Sequence, residues 1–219
     1  MFRSLKFTDG SSLRAGTLFC VAANYAMHAK EMGGNVPKAP SIFIKPPQSI
    51  INSGETIILP DISGNVHHEV ELVVIIGKEC YNVNKNEAID YIAGYAVGID
   101  VTMRDIQMQA KKEGKPWAIA KGFYTSAPLS EIVPASDFKG KIPDFELLLS
   151  INGEIKQNEN TAQMVRDVAS LIEFLSGMFA LMPGDLIYTG TPQGVGKITN
   201  GDLIHSELKG YVSLDINVK

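Results

Sequence analysis

The 219-residue chain reads as a β-dominated α+β fold, and three observations point there. Short runs rich in branched and aromatic residues, each bounded by glycine or proline, dominate the sequence. Helical patterns are few, and they do not alternate with the strands in the regular way that builds a doubly wound parallel sheet. An Asn152-Gly153 pair between two strand-like runs, Phe145 to Ile151 and Glu154 to Gln157, is a strong two-residue hairpin signal.

Taken in order, the first strand is Leu18 to Val21, after Gly16. Tyr25 to Met32 follows as a helical run. Ser41 to Lys45 stands between Pro40 and Pro46, Thr56 to Leu59 stops at Pro60, and Glu69 to Ile76 stops at Gly77. Glu87 to Ile92 reads as a short helix and Gly94 to Asp100 as a strand, after which Met103 to Lys112 returns to a helical pattern. Phe145 to Ile151 opens the hairpin. Val168 to Phe179 places Ala169, Ile172, Leu175 and Phe179 on one helical stripe. Asp185 to Thr189 lies between Gly184 and Gly190, and Tyr211 to Val218 follows Gly210. No linker, repeat or low-complexity tract interrupts the series, so residues 1–219 read as a single domain.

Composition narrows the class of function. With 45% apolar and 20% charged residues, disordered and fibrous classes drop out. Lysine and arginine number 20 against 24 acidic residues, a net charge of −4 that leaves no footprint for nucleic acid or an anionic membrane. The start, MFRSLKFTDG, has no secretory pattern, and apolar runs such as Leu72 to Ile76 are far short of a membrane span. Cys20 and Cys80 each sit in an apolar run and read as buried free thiols in a reducing cytoplasm. The expected partner is a small molecule.

The acidic residues carry the strongest chemical signal. Along a strand, Glu69 and Glu71 project to the same face as Val73 and Ile75, while Val70, Leu72, Val74 and Ile76 line the other. Two carboxylates ~6 to 7 Å apart repel by about 2.5 kcal/mol at an effective dielectric near 20. Protonation, a basic partner, a metal ion or a solvated strand end would relieve that repulsion. Asp100 terminates a second apolar run, and three carboxylates at the ends of buried strands suit a hard divalent cation, Mg²⁺ or Mn²⁺. Thr102 and Asp105 have the spacing of a capping box for the helix that follows, which leaves Asp100 free.

Other residues fit a site around such an ion. His28 and Glu31, three apart on one helix, form either an ordinary surface pair or a general base whose ring the carboxylate orients. Lys121 follows the apolar Trp117-Ala-Ile-Ala120, so its ammonium must reach solvent or an anion. Arg104 and Gln107, three apart, can reach the same cavity or face solvent. The Gly190-Thr-Pro-Gln-Gly-Val-Gly196 loop fails the phosphate-binding P-loop pattern, since Thr191 stands five residues before Gly196 and Ile198 replaces the hydroxyl residue. It can still offer backbone N–H groups and the Thr191 hydroxyl to a small carboxylate.

The ordered set H-x-x-E, H-H-E-x-E-L, G-I-D-V-T-x-R-D-x-Q, P-W-x-x-A-K-G-F, L-x-x-x-I-N-G-E and G-D-L-I-x-T-G-T-P-x-G-V-G resembles the fumarylacetoacetate hydrolase family, from about Cys20 to the C-terminus. Its short single-domain members look nearest. The resemblance implies a mixed β-roll with a few peripheral helices, usually a homodimer. It implies Mg²⁺ or Mn²⁺ held by Glu69, Glu71 and Asp100, with His28 and Glu31 activating a water on a segment that closes over substrate and Lys121 stabilising an enolate. It makes Arg104, Gln107, Thr191 and Gly190 the substrate-binding residues, with Arg104 beside the metal-ligand aspartate. One departure is that the family's G-R-N-Y is here Ala22-Ala23-Asn24-Tyr25, which removes an arginine.

The activity so implied is metal-dependent carbon–carbon hydrolysis of acylpyruvates, with oxaloacetate decarboxylation or keto–enol tautomerisation on the same scaffold. The alternatives are isomerisation or decarboxylation of hydroxymuconate-type diacids, or a non-catalytic protein that binds a metal and an oxo acid.

Overall fold

A computed structural model of the chain describes residues 3–219. Its centre is an eight-stranded mixed sheet. Across it lie Ser41–Lys45, Leu18–Ala22, Leu186–Tyr188, Val70–Ile76, Ile92–Ile99, Ala127–Leu129 and Ile50–Asn52, with Val133–Pro134 also paired to Ile92–Ile99. Leu18–Ala22 runs parallel to Leu186–Tyr188, and Ile50–Asn52 parallel to Ala127–Leu129, while the other pairs are antiparallel. A five-stranded sheet packs on one face in the order Glu154–Asn160, Glu146–Ile151, Leu203–Leu208, Val212–Val218, Thr56–Ile57. Small sheets of three and two strands complete the β structure among the described residues.

Burial on both faces explains the apolar run at the centre. All seven residues of Val70–Ile76 are buried. Leu72, Val74 and Ile76 join Leu147, Leu149, Ile204 and Leu214 in the core between the two large sheets. Val73 and Ile75 face a second core with Leu5, Leu18, Ala96, Leu186 and Tyr188. A strand covered on both sides must be apolar at successive positions, which is why its alternation vanishes after Glu71.

The hairpin turns as expected at Asn152 and Gly153, both at positive φ, 52° and 83°. Three elements differ from the sequence expectation. Glu87 to Ile92 forms not an α-helix but a 3₁₀ segment, Lys85–Tyr91, because Ile92 is already paired with Ile76 at the head of the next strand. The helix expected to reach Phe179 stops at Ser176 with Gly177 after it, and its buried stripe is Val168, Leu171, Ile172 and Leu175, with Phe179 out at the surface. The capping box is absent. Met103 occupies the N-cap of helix Arg104–Glu113 and makes no side-chain cap, Thr102 is drawn into the buried charge cluster, and Asp105 binds Ser63 Oγ and the backbone N–H of Gly64. Asp105 is structural, as expected, but it anchors a loop. Among the described residues no helix is long and apolar enough to cross a membrane, and Cys20 and Cys80 are buried free thiols.

Candidate active site

The site forms where the central ladder runs out. Val70 pairs with Ile99, and one residue beyond, the Asp100 N–H donates to Glu69 O at 2.8 Å, so the ladder's end brings the two acids together. Glu71, opposite Gly98, completes the group. Glu69, Glu71 and Asp100 are 4%, 2% and 1% exposed, and each offers one oxygen within 4.8 Å of the others.

Three buried cations surround these three acids. Lys121 Nζ donates to Glu69 Oε2 (2.8 Å), Asp100 Oδ2 (2.5 Å) and Thr102 Oγ1 (2.6 Å). At 3% exposure its ammonium reaches anions rather than water. Arg104 pairs with Glu69 Oε1 and donates through Nη1 to Gln107 Oε1 at 2.6 Å. Because guanidinium only donates, Gln107 must present its carbonyl there, and its NH₂ remains for a ligand. Lys45, which sequence reasoning did not single out, is fully buried. Its ammonium donates to Val101 O (3.1 Å) and Ser126 O (2.6 Å) and lies 2.8 Å from Asp100 Oδ1. That last contact is an ion pair without hydrogen-bond alignment, which leaves Asp100 Oδ1 a buried acceptor with no donor.

The carboxyls respond differently to this setting. Burial pushes Glu69 up, but Lys121 and Arg104 together hold it below the usual carboxylate range. Glu71 has no cation of its own. Burial, Asp100 and Glu69 raise it well above the usual range, opposed by the Gly190 N–H at 2.7 Å from Oε2 and by the charge of Lys121. Gly190 has φ near 100°, and a Cβ there would meet Asn24 Cβ at 2.8 Å, so glycine alone lets this N–H turn to Glu71.

These features fit a hard divalent cation. The donors are all carboxyl oxygens converging on one point, one carries an orphaned lone pair, and one is pushed up by burial and its two acidic neighbours, a strain that added positive charge would relieve. Glu69, Glu71 and Asp100 would hold it.

Helix Ala26–Glu31 brings the candidate base. His28, 7% exposed, places Nδ1 at 3.1 Å from Glu31 Oε2, and Glu31 Oε1 accepts from the Gly194 N–H at 3.0 Å. Glu31 therefore ties the helix to the 190–196 loop while leaving His28 Nε2 for another partner. Thr191 Oγ1 accepts from Gln157 Nε2 at 2.9 Å, and Gln157 Oε1 accepts from the Val70 N–H at 3.0 Å. Gln157, missed in the sequence, thus links the loop to the glutamate strand. Asn24 pins the preceding turn by donating to Thr189 O at 2.9 Å.

A cavity of about 270 Å³ collects these groups. His28, Glu69, Glu71, Asp100, Arg104, Gln107, Lys121 and Thr191 line it. Glu31 and Gly190 stand behind as supports. Ala22 and Ala23 form part of the wall, Ala23 at φ 55°. The arrangement can bind a small anion, orient it against a fixed cationic cluster and exchange a proton through His28.

Comparison with known proteins agrees with this geometry. An oxaloacetate tautomerase of Escherichia coli K12 is 43% identical over 192 residues, 88% of each chain. The crystal structure of fumarylpyruvate hydrolase from Pseudomonas aeruginosa in complex with Mn²⁺ and pyruvate superposes with a TM-score of 0.94 at 35% identity, covering 99% of this chain and 95% of that one. A 5-carboxymethyl-2-hydroxymuconate delta-isomerase from Mycobacterium smegmatis gives a TM-score of 0.82 at 40% identity, covering 93% and 78%. The family model described as fumarylacetoacetate (FAA) hydrolase C-terminal matches residues 17–219, a span that includes every residue lining the cavity. The chain belongs to the fumarylacetoacetate hydrolase family.

Proposed function

We propose that this protein is a Mg²⁺- or Mn²⁺-dependent enzyme acting on 2-oxo acids that bear a second carbonyl. It hydrolyses the carbon–carbon bond of acylpyruvates and promotes keto–enol tautomerisation or decarboxylation of oxaloacetate. The observation that carries this reading is the buried trio Glu69, Glu71 and Asp100 facing the same cavity as Lys121 and the His28/Glu31 pair. When bound, the metal would supply Lewis-acid polarisation of the 2-oxo acid's oxygens. The named activities of the tautomerase and hydrolase relatives support the substrate class.

The chain's own residues divide the work. Glu31 holds His28 through Nδ1, so Nε2 takes the proton from a water that attacks the distal carbonyl of an acylpyruvate. The bond between that carbonyl carbon and the pyruvate methylene breaks, releasing a carboxylic acid and leaving the electron pair on the pyruvate enolate. The Lys121 ammonium, which lines the same cavity, would stabilise that negative charge through its field. A proton returned to carbon completes pyruvate. Keto and enol oxaloacetate interconvert through an enolate of the same kind, and decarboxylation reaches one without any nucleophile. Gln107 and Thr191 orient the bound acid through their free N–H₂ and O–H donors.

Pyruvate release from acetylpyruvate and the ultraviolet change of enol-oxaloacetate, each followed with added Mn²⁺ and after chelation, test the reading. Turnover of neither compound with metal present would refute it. The delta-isomerase relative supports a second reading, isomerisation of a hydroxymuconate-type diacid, and including such a diacid in the panel discriminates the two. The proposal extends to a cytoplasmic homodimer. Two unpaired thiols support the compartment and the family resemblance supports the dimer; light scattering on the purified protein tests the latter.

A further inference from the structure

Helix Arg104–Glu113 presents Arg104, Gln107 and Lys111 at spacings of three and four, so the three side chains share one face, and all three line the cavity. Arg104 and Gln107 are spent on the acidic end, where they hold Glu69 and each other. Lys111 stands seven residues further along, roughly 10 Å at 1.5 Å per residue, toward the cavity's outer part. Its ammonium lies 5.0 Å from the centre of the Trp117 ring, and among the described residues no carboxylate pairs with it. The lysines around it differ: Lys115 is paired with Glu113 at 2.6 Å, and Lys112 does not line the cavity. Burial and the positive charges of Arg104 and Lys121 pull the Lys111 ammonium below its ordinary range, as expected of a cation facing other cations across a shared space. An anion between them would relieve that repulsion.

We propose that Lys111 is a specificity-determining residue that binds a second, distal carboxylate, so that the preferred substrates are 2-oxo dicarboxylates rather than 2-oxo monocarboxylates. This rests on the 2-oxo-acid reading of the site and deepens it. The Trp117 face holds the ammonium in place before the ligand arrives and reduces the freedom lost on binding. A distal methyl or methylene group gains nothing from a cation at this position, whereas a carboxylate gains a charge-assisted hydrogen bond.

Two inert acids of equal chain length, 2-oxoglutarate and 2-oxopentanoate, isolate the distal carboxylate. Their binding to Mn²⁺-loaded protein is read by calorimetry and by fluorescence of Trp117, the single tryptophan of the chain. The wild type should bind the diacid about tenfold or more tightly than the monoacid. Lys111→Met should erase that preference by weakening the diacid alone, and Lys111→Arg should keep most of it. Lys111 keeps much of its side-chain surface in solvent although its ammonium turns to the cavity, and among the described residues it holds no ion pair, so these variants should unfold at the wild-type temperature. Equal weakening of both acids, or an unchanged preference in Lys111→Met, overturns the assignment while leaving the 2-oxo-acid reading intact. Failure of both acids to bind the metal-loaded wild type overturns that reading and this inference together.

Discussion

Replacing Lys45 by methionine keeps the bulk of the stem and removes one buried ammonium. In the wild type that group donates to two carbonyls and lies 2.8 Å from Asp100 Oδ1. Unit charges at this separation attract by about 6 kcal/mol at an effective dielectric near 20. Desolvation of the two ions offsets much of this, so the pair as a whole adds little over an apolar pair. Removing one partner is different. Asp100 stays buried beside Glu69 and Glu71 with Lys121 as its remaining ion-pair partner, and the Val101 carbonyl loses its donor, while Ser126 O keeps the Val101 N–H at 3.0 Å. Breaking a buried pair costs about 3–5 kcal/mol, and the one unsatisfied carbonyl, that of Val101, about 1–3 kcal/mol. Such contributions within one cluster are not additive, so the expected net loss is about 4 kcal/mol rather than the full sum. Urea unfolding of the metal-free protein, with unchanged m-values, measures it. A loss below about 1 kcal/mol would refute the role assigned to Lys45.

Three further outcomes are expected. Glu71 is raised in the folded protein, so the stability it contributes is present below its unfolded value and is lost as the pH rises through the folded one; metal binding should release that proton. Calorimetry in buffers of different ionisation heat should show proton release and an affinity for Mg²⁺ or Mn²⁺ that grows with pH, and proton-free binding would contradict the Glu71 assignment. His28→Ala should lower acylpyruvate hydrolysis by about 10²- to 10⁴-fold while oxaloacetate decarboxylation, which needs no nucleophile, continues; equal retention of both activities excludes His28 as the base. Ala23 holds φ 55°, a left-handed conformation that disfavours an L side chain by about 1–2 kcal/mol, so Ala23→Gly should stabilise the protein by about 1 kcal/mol in the same urea assay, and a destabilised variant would contradict the strain.

What the sequence shows and what it conceals follow one physical line. Glu69, Glu71 and Asp100 stand out because charges interrupt runs that are otherwise apolar on both faces, and such interruptions need a reason. His28 and Glu31 stand out because helical spacing makes them neighbours. Lys45 does not, because a lysine between Ile44 and Pro46 looks like a solvated strand end; only the fold reveals that the segment from Val101 to Ser126 closes over it. Gln157 is hidden for a similar reason, since its partners Val70 and Thr191 lie on other elements far away in the chain. Local spacing points Thr102 to a helix cap, and the tertiary pull of Lys121 takes it instead. The segment after Asn84 has helical composition, but pairing of Ile92 with Ile76 begins too soon for an α-helix to form.

The central claim is that Glu69, Glu71 and Asp100 hold a divalent cation required for chemistry on a 2-oxo acid. Titrating Mn²⁺ into chelator-treated protein while following acetylpyruvate and oxaloacetate, in the wild type and in Glu69→Gln, tests it most directly. The account predicts negligible turnover without metal, saturable recovery in the wild type and at least about 10²-fold less in the variant. Turnover that survives chelation, or a fully active Glu69→Gln enzyme, would contradict it.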